Sequence, residues 1–258
     1  MNTKTILEII ENISNPEKVG TIPEVWQEEL RNSELSLIDN AIIEAYLLER
    51  DGNILEAIEK WRSIANIAKG IDNVLTAHAW FSIGGLLLNR IPEDALLAYD
   101  NAINLKPDNA IFYNNRGATK SLLEQYESAI SDFDEAIHLN PEYMEAYYNR
   151  GRAKDVLNNH EEAISDYNEA LHLKPDYAEA YNYRGIAKCA LEQHEAAITD
   201  FNEGIRLKPE DAHAYFIRGH AKDMLGYYEA AISDFDECIK REPNCAQAYS
   251  CGDMRKMY

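Results

Sequence analysis

The sequence repeats the same helical phrase every 34 residues. Residues 147–157 read YYNRGRAKDVL, residues 181–191 read YNYRGIAKCAL, and residues 215–225 read YFIRGHAKDML. A fixed period of this length is typical of repeat architectures, in which each unit buries its apolar face against its neighbours. The repeat therefore predicts a stacked array of short units and not one closed globule.

Small residues, aromatic residues and prolines occupy fixed columns of the repeat. The columns hold Gly117, Gly151, Gly185 and Gly219; Ala95, Ala129, Ala163, Ala197 and Ala231; Tyr99, Phe133, Tyr167, Phe201 and Phe235; and Pro107, Pro141, Pro175, Pro209 and Pro243. A glycine inside a helix costs about 0.5–1 kcal/mol relative to alanine. Its recurrence at one position therefore indicates that two helices must approach closely there, with the aromatic residue filling the gap between neighbouring pairs.

Each unit divides into two helices. In the unit at 144–177, apolar and small residues follow helical spacing from 146 to 157 and again from 163 to 171, with polar residues between them. Pro175 ends the second helix because the residue before a proline is disfavoured in the helical conformation. The pattern predicts a helix, a turn, a second helix and a closing proline.

This combination of columns resembles the tetratricopeptide repeat. The resemblance implies an all-α fold, a right-handed superhelical solenoid of antiparallel helix pairs whose first helices line a concave groove. It also implies a non-enzymatic scaffold that binds a protein or peptide segment in that groove, as an adaptor or regulatory subunit of a larger complex.

The columns also predict the division of the chain. We expect an N-terminal helical cap at 1–37, a degenerate helix pair at 38–75 with Gly52, Ala57 and Trp61 in plausible places, and five repeats over 76–245. The repeats run over about 76–109, 110–143, 144–177, 178–211 and 212–245, and a truncated capping helix follows at 246–258. A structural alternative to groove binding is self-assembly into a homo-oligomer through this unfinished C-terminal helix.

Ligand contacts should lie where the repeat varies, because packing columns must recur and binding residues need not. The inward-facing positions of the first helices lie three and two residues before each glycine and one residue after it. The predicted groove residues are Asn114, Asn115, Tyr148, Asn149, Arg152, Asn182, Tyr183, Phe216, Ile217 and His220, with Ala118 and Ile186 at the same positions. Aromatic and amide side chains suit an extended peptide, although each of these residues could instead pack between helices.

The net charge of −20 restricts the partners of the chain. Phosphate backbones are bound by clustered Lys and Arg, so we do not expect nucleic acid as a partner. The charge is compatible with a protein partner that is neutral or basic and carries apolar anchors. No apolar run is long enough to cross a bilayer and no secretion signal is recognisable, so we expect a cytoplasmic protein without a membrane partner.

Charged residues recur as well, and they allow two interpretations. The basic columns are Arg116, Arg150, Arg184 and Arg218 and Lys120, Lys154, Lys188 and Lys222; the acidic columns are Asp132, Asp166, Asp200 and Asp234 and Glu135, Glu169, Glu203 and Glu237. A basic stripe would grip an acidic ligand, whereas a ladder of surface ion pairs, each worth about 0–1 kcal/mol, would join stacked helices. We favour the ladder because the acids repeat in step with the bases.

Asn115 and Asn149 fit the asparagine positions of the clamp with which one subgroup of the family holds acidic chaperone tails. The lysine positions of that clamp hold Asn114, Tyr148, Glu145 or Glu179 in this sequence. We therefore do not expect chaperone-tail binding.

The sequence contains no recognisable catalytic or metal-binding motif. His160 and His194 share a repeat column but belong to helices that lie farther apart than the roughly 8–10 Å between packed neighbours, whereas a zinc–nitrogen bond needs about 2 Å. Cys238, Cys245 and Cys251 lack the paired spacing of a zinc site. We therefore expect no cofactor, no metal and no enzymatic activity.

Overall fold

The computed structural model describes residues 37–243, and this part of the chain consists of helices joined by short turns. It contains twelve helices, here numbered α1 to α12: Leu37–Arg50, Ile54–Ala68, Asn73–Leu87, Pro92–Leu105, Ala110–Leu122, Tyr126–Leu139, Met144–Val156, His160–Leu173, Ala178–Ala190, His194–Leu207, Ala212–Met224 and Tyr228–Arg241. The prediction of an all-α repeat solenoid is confirmed. The predicted N-terminal cap lies outside the described residues apart from Leu37, and the C-terminal helix at 246–258 lies entirely outside them.

The chain divides into two compact units, residues 1–107 and residues 108–258. The described part of the first unit contains α1 to α4. Trp61 and Tyr99 are fully buried in its core, and Tyr46 packs edge-on against Trp61 with ring centroids 5.1 Å apart. Ala57 is buried beside them, whereas Gly52 lies in the turn between α1 and α2 with φ +77°. Gly52 is therefore a turn residue and not part of the packing column.

Two polar side chains, those of His78 and Glu49, contact this aromatic core. The hydroxyl of Tyr46 hydrogen-bonds Nε2 of His78 at 2.6 Å, and the indole N–H of Trp61 donates to the carboxylate of Glu49. Burial raises the pKa of Glu49, and burial together with the charge of Lys106 lowers the pKa of His78 to about 4. His78 is therefore neutral at pH 7.

The described part of the second unit, residues 108–243, contains four helix pairs, α5/α6 to α11/α12, and the same turn motif joins the two helices of each pair. In the α9/α10 turn, Glu192 has φ 59°, its N–H donates to the carbonyl of Cys189, and the N–H of Gln193 donates to the carbonyl of Lys188. These two bonds satisfy carbonyls that the end of the helix leaves free, as in the Schellman motif. Glu124, Asn158 and Gly226 occupy the same left-handed position in the other turns.

The closing prolines end the second helices as predicted. The residues before them are Lys106, Asn140, Lys174, Lys208 and Glu242, and all have φ between −129° and −141°. This extended conformation is the one that a following proline favours.

The glycine column sets the approach of the two helices within a pair. A Cβ atom added to Gly151 would lie 2.9 Å from Cε1 of Tyr167, and one added to Gly117 would lie 2.7 Å from Cε1 of Phe133. Separations below about 3 Å are not tolerated between carbon atoms, so each glycine makes room for an aromatic ring. The packing role predicted for this column is confirmed.

The arginine, lysine and aspartate columns form the predicted ladder, whereas Glu203 and Glu237 pair with Arg206 and Arg241 on their own helices. Asp166 accepts from Nη2 and Nε of Arg150 at 2.6 and 3.0 Å, and Nζ of Lys154 lies 3.0 Å from it. The same arrangement recurs at Asp132, Asp200 and Asp234. The carboxylates are buried, which corrects the expectation of a surface ladder. Breaking one pair should cost more than the surface value, because an uncompensated charge would stay inside.

The ladder also joins successive pairs. Nη1 of Arg184 donates to Oδ1 of Asn168 on the preceding second helix at 2.7 Å. Arg150 contacts Asp134 at 2.6 Å and Arg218 contacts Asn202 at 2.8 Å in the same way. These three arginines therefore each fix one helix pair against the pair before it.

Candidate functional site

The predicted groove residues lie on the first helices of the second unit, α5, α7, α9 and α11. Each of these helices contacts the next one, α5 to α7, α7 to α9 and α9 to α11, as well as its own second helix. Side chains from neighbouring first helices therefore meet, and three positions of the repeat bring the predicted residues together.

The position three residues before the glycine is the most enclosed. Asn114, Tyr148 and Asn182 are 7%, 8% and 5% exposed, so these side chains pack between helices, while Phe216 is partly buried. Less than a tenth of each enclosed side chain is therefore left for contact with another molecule.

Asn114 is held by two hydrogen bonds. Its amide nitrogen donates to the hydroxyl of Tyr143 at 3.2 Å, and its oxygen accepts from Nδ2 of Asn149 at 3.0 Å. The neighbouring Asn115 donates to the carbonyl of Ile111 on its own helix at 2.8 Å. Asn114 and Asn149 are therefore oriented by the fold and not by a ligand.

Tyr148 is the centre of a cluster of tyrosines. Its ring centroid lies 4.9 Å from that of Tyr177, 5.8 Å from that of Tyr183 and 6.2 Å from that of Tyr167. Burial, with the nearby charge of Glu179, raises the pKa of Tyr177 to about 12, so this hydroxyl stays protonated at neutral pH.

Arg152 lies at the exposed edge of this cluster. Its guanidinium carbon is 4.7 Å from the ring centroid of Tyr183 and 5.9 Å from that of Tyr148, a cation–π geometry. Arg152 contacts no carboxylate in residues 37–243, unlike the arginines of the ladder. It is the exposed cation of this surface.

Asn182 packs against Gly204, a second glycine of the same repeat that lies outside the glycine column. Its Nδ2 donates to Asp211 at 3.2 Å, and a Cβ at Gly204 would collide with its oxygen. The oxygen itself is buried and accepts no hydrogen bond from the described residues. Gly204 was not predicted as a packing residue, although the small residue in its column was visible in the sequence.

The remaining predicted residues lie toward α11. The ring of Phe216 is edge-on to His220 at 4.9 Å and lies 6.0 Å from Phe235. Ile217 packs with Ile186 in one apolar cluster over Phe201. This end of the surface is the more apolar one.

A cavity of about 380 Å³ lies between α5 and α7, and we call it the α5/α7 cavity. Phe133 and Ala153 form its apolar wall, Leu122 and Val156 its rim, and Asn149 and Arg152 its polar side; Ala118, Ser121, Glu124 and Tyr126 complete the lining. Of these residues, the sequence predicted Asn149 and Arg152, with Ala118 at a groove position. The sequence feature that could have predicted the cavity is the combination of Ala118 and Asn149, two small side chains at positions where the later repeats have larger ones.

The basic columns do not form a ligand-binding stripe, because their arginines and lysines pair with the buried aspartates. Among residues 37–243, no three His, Cys, Asp or Glu side chains are grouped as metal ligands would be. His160 instead contacts Asp155, with Nδ1 and Oδ1 2.6 Å apart. No helix in this part of the chain has both the length and the apolar character needed to span a membrane.

Comparisons with known proteins agree with this architecture. The sequence profiles of the tetratricopeptide repeat family match residues 123–178, 156–212 and 212–245. A comparison with curated protein sequences finds no match.

Solved structures with the same fold include MamA from Desulfovibrio magneticus, with 22% identity, a TM-score of 0.62, and coverage of 68% of this chain and 98% of that one. YrrB, described as a TPR protein with an unusual peptide-binding site, has 21% identity, a TM-score of 0.61, and coverage of 73% and 96%. PilF from Pseudomonas aeruginosa has 17% identity, a TM-score of 0.70, and coverage of 86% and 97%.

At these identities the similar structures show the fold alone, and the family follows from the matched profiles together with the glycine, aromatic and proline columns. Residues 123–245 of the chain belong to the tetratricopeptide repeat family.

Proposed function

We propose that this protein is a non-enzymatic scaffold and that its second unit binds an extended protein segment along α5, α7, α9 and α11. Tetratricopeptide repeats generally mediate contacts between proteins, and the solved structures of similar fold belong to such proteins.

The observation that carries the proposal is the contrast between constant and variable positions of the repeat. The glycines, aromatics and ion pairs make the same contacts in every helix pair of the second unit. On the same helices, the position after the glycine holds in turn Ala118, Arg152, Ile186 and His220. Arg152 and Ile186 also pack against the next first helix, but this position is not held to one residue type as the packing columns are. Its side chains can therefore differ at each step to suit a partner.

The chemistry of the variable positions suits a peptide. Tyr183, Phe216 and Ile217 offer partly exposed apolar area, and Asn115 and Asn149 offer amide groups. Because the chain has a net charge of −20, the partner segment should be neutral or basic overall and anchored by apolar residues. YrrB provides a precedent for peptide binding on this fold.

Site-specific photocrosslinking tests the proposal. A benzophenone amino acid is placed at Asn115 or His220 on first helices, and at Ser165 or Ser233 on the exposed side of second helices. Each variant is incubated in a lysate of the source cells and irradiated. We expect one partner to crosslink from 115 and 220 and not from 165 and 233. A partner that crosslinks only from the second helices would overturn the groove assignment.

A further inference from the structure

We propose that the α5/α7 cavity receives one bulky apolar side chain of the partner segment, and that a carboxylate next to that side chain binds Arg152. This inference rests on the proposed function and names the chemistry that the groove recognises.

The cavity is a local feature of this sequence and not a gap inherent in the fold. The same space is filled at the next two steps of the array. Between α7 and α9 it holds the stacked pair Arg152 and Tyr183, and between α9 and α11 it holds Ile186 and Ile217 in one apolar cluster. Between α5 and α7 the equivalent residues are Ala118 and Asn149, which are too small to fill it.

The wall and rim of the cavity favour an apolar occupant. Phe133 and Ala153 form the wall, and Leu122 and Val156 on the rim are 54% and 56% exposed. A volume of about 380 Å³ is near the lower end of the range of ~300–1,000 Å³ for ligand pockets. It accommodates a leucine, methionine or phenylalanine side chain with part of the adjoining main chain.

The polar side of the cavity supplies the means of orienting a peptide. Arg152 is exposed and has no carboxylate partner in residues 37–243, so its guanidinium can bind one bidentately. Asn149 uses its nitrogen to bond Asn114, which leaves its oxygen to accept a main-chain N–H. Oγ of Ser121 is buried beside them without a partner among the described residues, and a buried polar atom of this kind favours a ligand that bonds it.

Glu124 limits the number of acids in the segment. Glu124 lines the same cavity, and its negative charge would repel a second acidic residue. A single carboxylate beside an apolar anchor therefore fits, and a run of acids does not. This requirement agrees with a segment that is neutral or basic overall.

Selection from a displayed library of random heptapeptides tests the inference on the full chain. The wild type is compared with a filled variant, Ala118→Ile with Asn149→Ile, which copies the Ile186 and Ile217 pair. A second filled variant, Ala118→Arg with Asn149→Tyr, copies the Arg152 and Tyr183 pair and replaces the first if that one fails to fold. Circular dichroism establishes that each variant is helical.

We expect the wild type to enrich peptides with an aliphatic or aromatic residue next to Asp or Glu, and the filled variant to bind the enriched peptide about tenfold more weakly. The substitution Arg152→Gln should weaken binding of that peptide. It should not weaken binding of the same peptide with Asn or Gln in place of the acidic residue. Equal binding by the wild type and the filled variant would overturn the cavity assignment while leaving groove binding intact.

Other outcomes also decide the question. Enrichment of acid runs without an apolar residue, or of basic peptides that Arg152→Gln binds equally well, would overturn the inference. If the wild type enriches no peptide, the inference is wrong; crosslinking from residues 115 and 220 then shows whether the proposed function survives. Enrichment of a sequence found in this chain would indicate that a second copy of the chain occupies the cavity. This result would overturn the inference that the occupant belongs to a separate partner.

Discussion

The guanidinium of Arg152 on α7 lies 4.7 Å from the ring centroid of Tyr183 on α9, whereas the equivalent residues between α5 and α7 are only Ala118 and Asn149. The stacked pair fills the space between α7 and α9, whereas the equivalent space between α5 and α7 is the α5/α7 cavity. The contact should contribute about 0.5–1 kcal/mol, as cation–π pairs do at exposed sites.

A double-mutant cycle measures this contact. Arg152→Gln and Tyr183→Leu are each expected to destabilise the chain, and the double variant should lose about 0.5–1 kcal/mol less than the sum of the two. Urea unfolding followed by circular dichroism gives the three values. Strict additivity would show that the two side chains lie near each other without stabilising the fold.

Gly84 and Gly85 are adjacent glycines from which we expect opposite results. A Cβ at Gly84 would lie 2.6 Å from Cε1 of Tyr99, whereas the nearest atom to a Cβ at Gly85 is the Tyr99 hydroxyl at 4.0 Å. Gly84→Ala should destabilise by about 1–3 kcal/mol through overpacking. Gly85→Ala should stabilise by about 0.5–1 kcal/mol because alanine favours the helix. Thermal unfolding compares them, and shifts of the same sign would contradict the packing argument.

Removing one carboxylate of the ladder should be costly. Asp200→Ala leaves Arg184 and Lys188 without their shared buried partner, and we expect a loss of about 3–5 kcal/mol. Thr199→Ala on the neighbouring exposed position is the control and should change stability by no more than about 0.5 kcal/mol. Chemical denaturation measures both, and equal small effects would mean that the ladder contributes no more than surface ion pairs.

Glu192 adopts a left-handed conformation that glycine takes at the same position of the last turn, at Gly226. Glu192→Gly should stabilise by about 0.5–1 kcal/mol, because the steric penalty of ~1–2 kcal/mol disappears and part of it is offset by the entropy of glycine. Asn158→Gly should change little, since asparagine tolerates this conformation. A loss of stability in Glu192→Gly would show that its side chain makes a contact that matters more than the backbone.

His78 should make the first unit sensitive to acid. Its pKa is about 4 in the folded chain, below the value of about 6.5 expected when unfolded, so below pH 6.5 the unfolded state binds a proton that the folded state does not. The stability contributed by neutral His78 is thus complete above pH 6.5 and is lost as the pH falls toward 4, by about 2 kcal/mol at pH 5.

The difference between the wild type and His78→Gln isolates this effect from other titrating groups. The two chains are unfolded by urea at pH 7.5 and at pH 5, and the wild type should lose more stability between these values than the variant does. Parallel pH dependence in the two chains would contradict the role given to His78.

The sequence by itself determined the elements that repeat. The 34-residue period, the glycine facing an aromatic ring, the proline at the end of each unit and the pairing of arginine with aspartate could all be read from columns. Each depends on contacts within one helix pair or between successive pairs, and the same contacts recur with the period. Repetition makes such contacts visible as identical residues at one spacing.

The tertiary structure decided what does not repeat. It enclosed Asn114, Tyr148 and Asn182, for which the sequence allows either groove contact or packing between helices. It also placed Gly52 in a turn and left a cavity between Ala118 and Asn149. These outcomes depend on the sizes of side chains that different helices bring into one space. A column shows which residue types share a position, but whether a space is filled is decided only when helices that are distant along the chain are packed together.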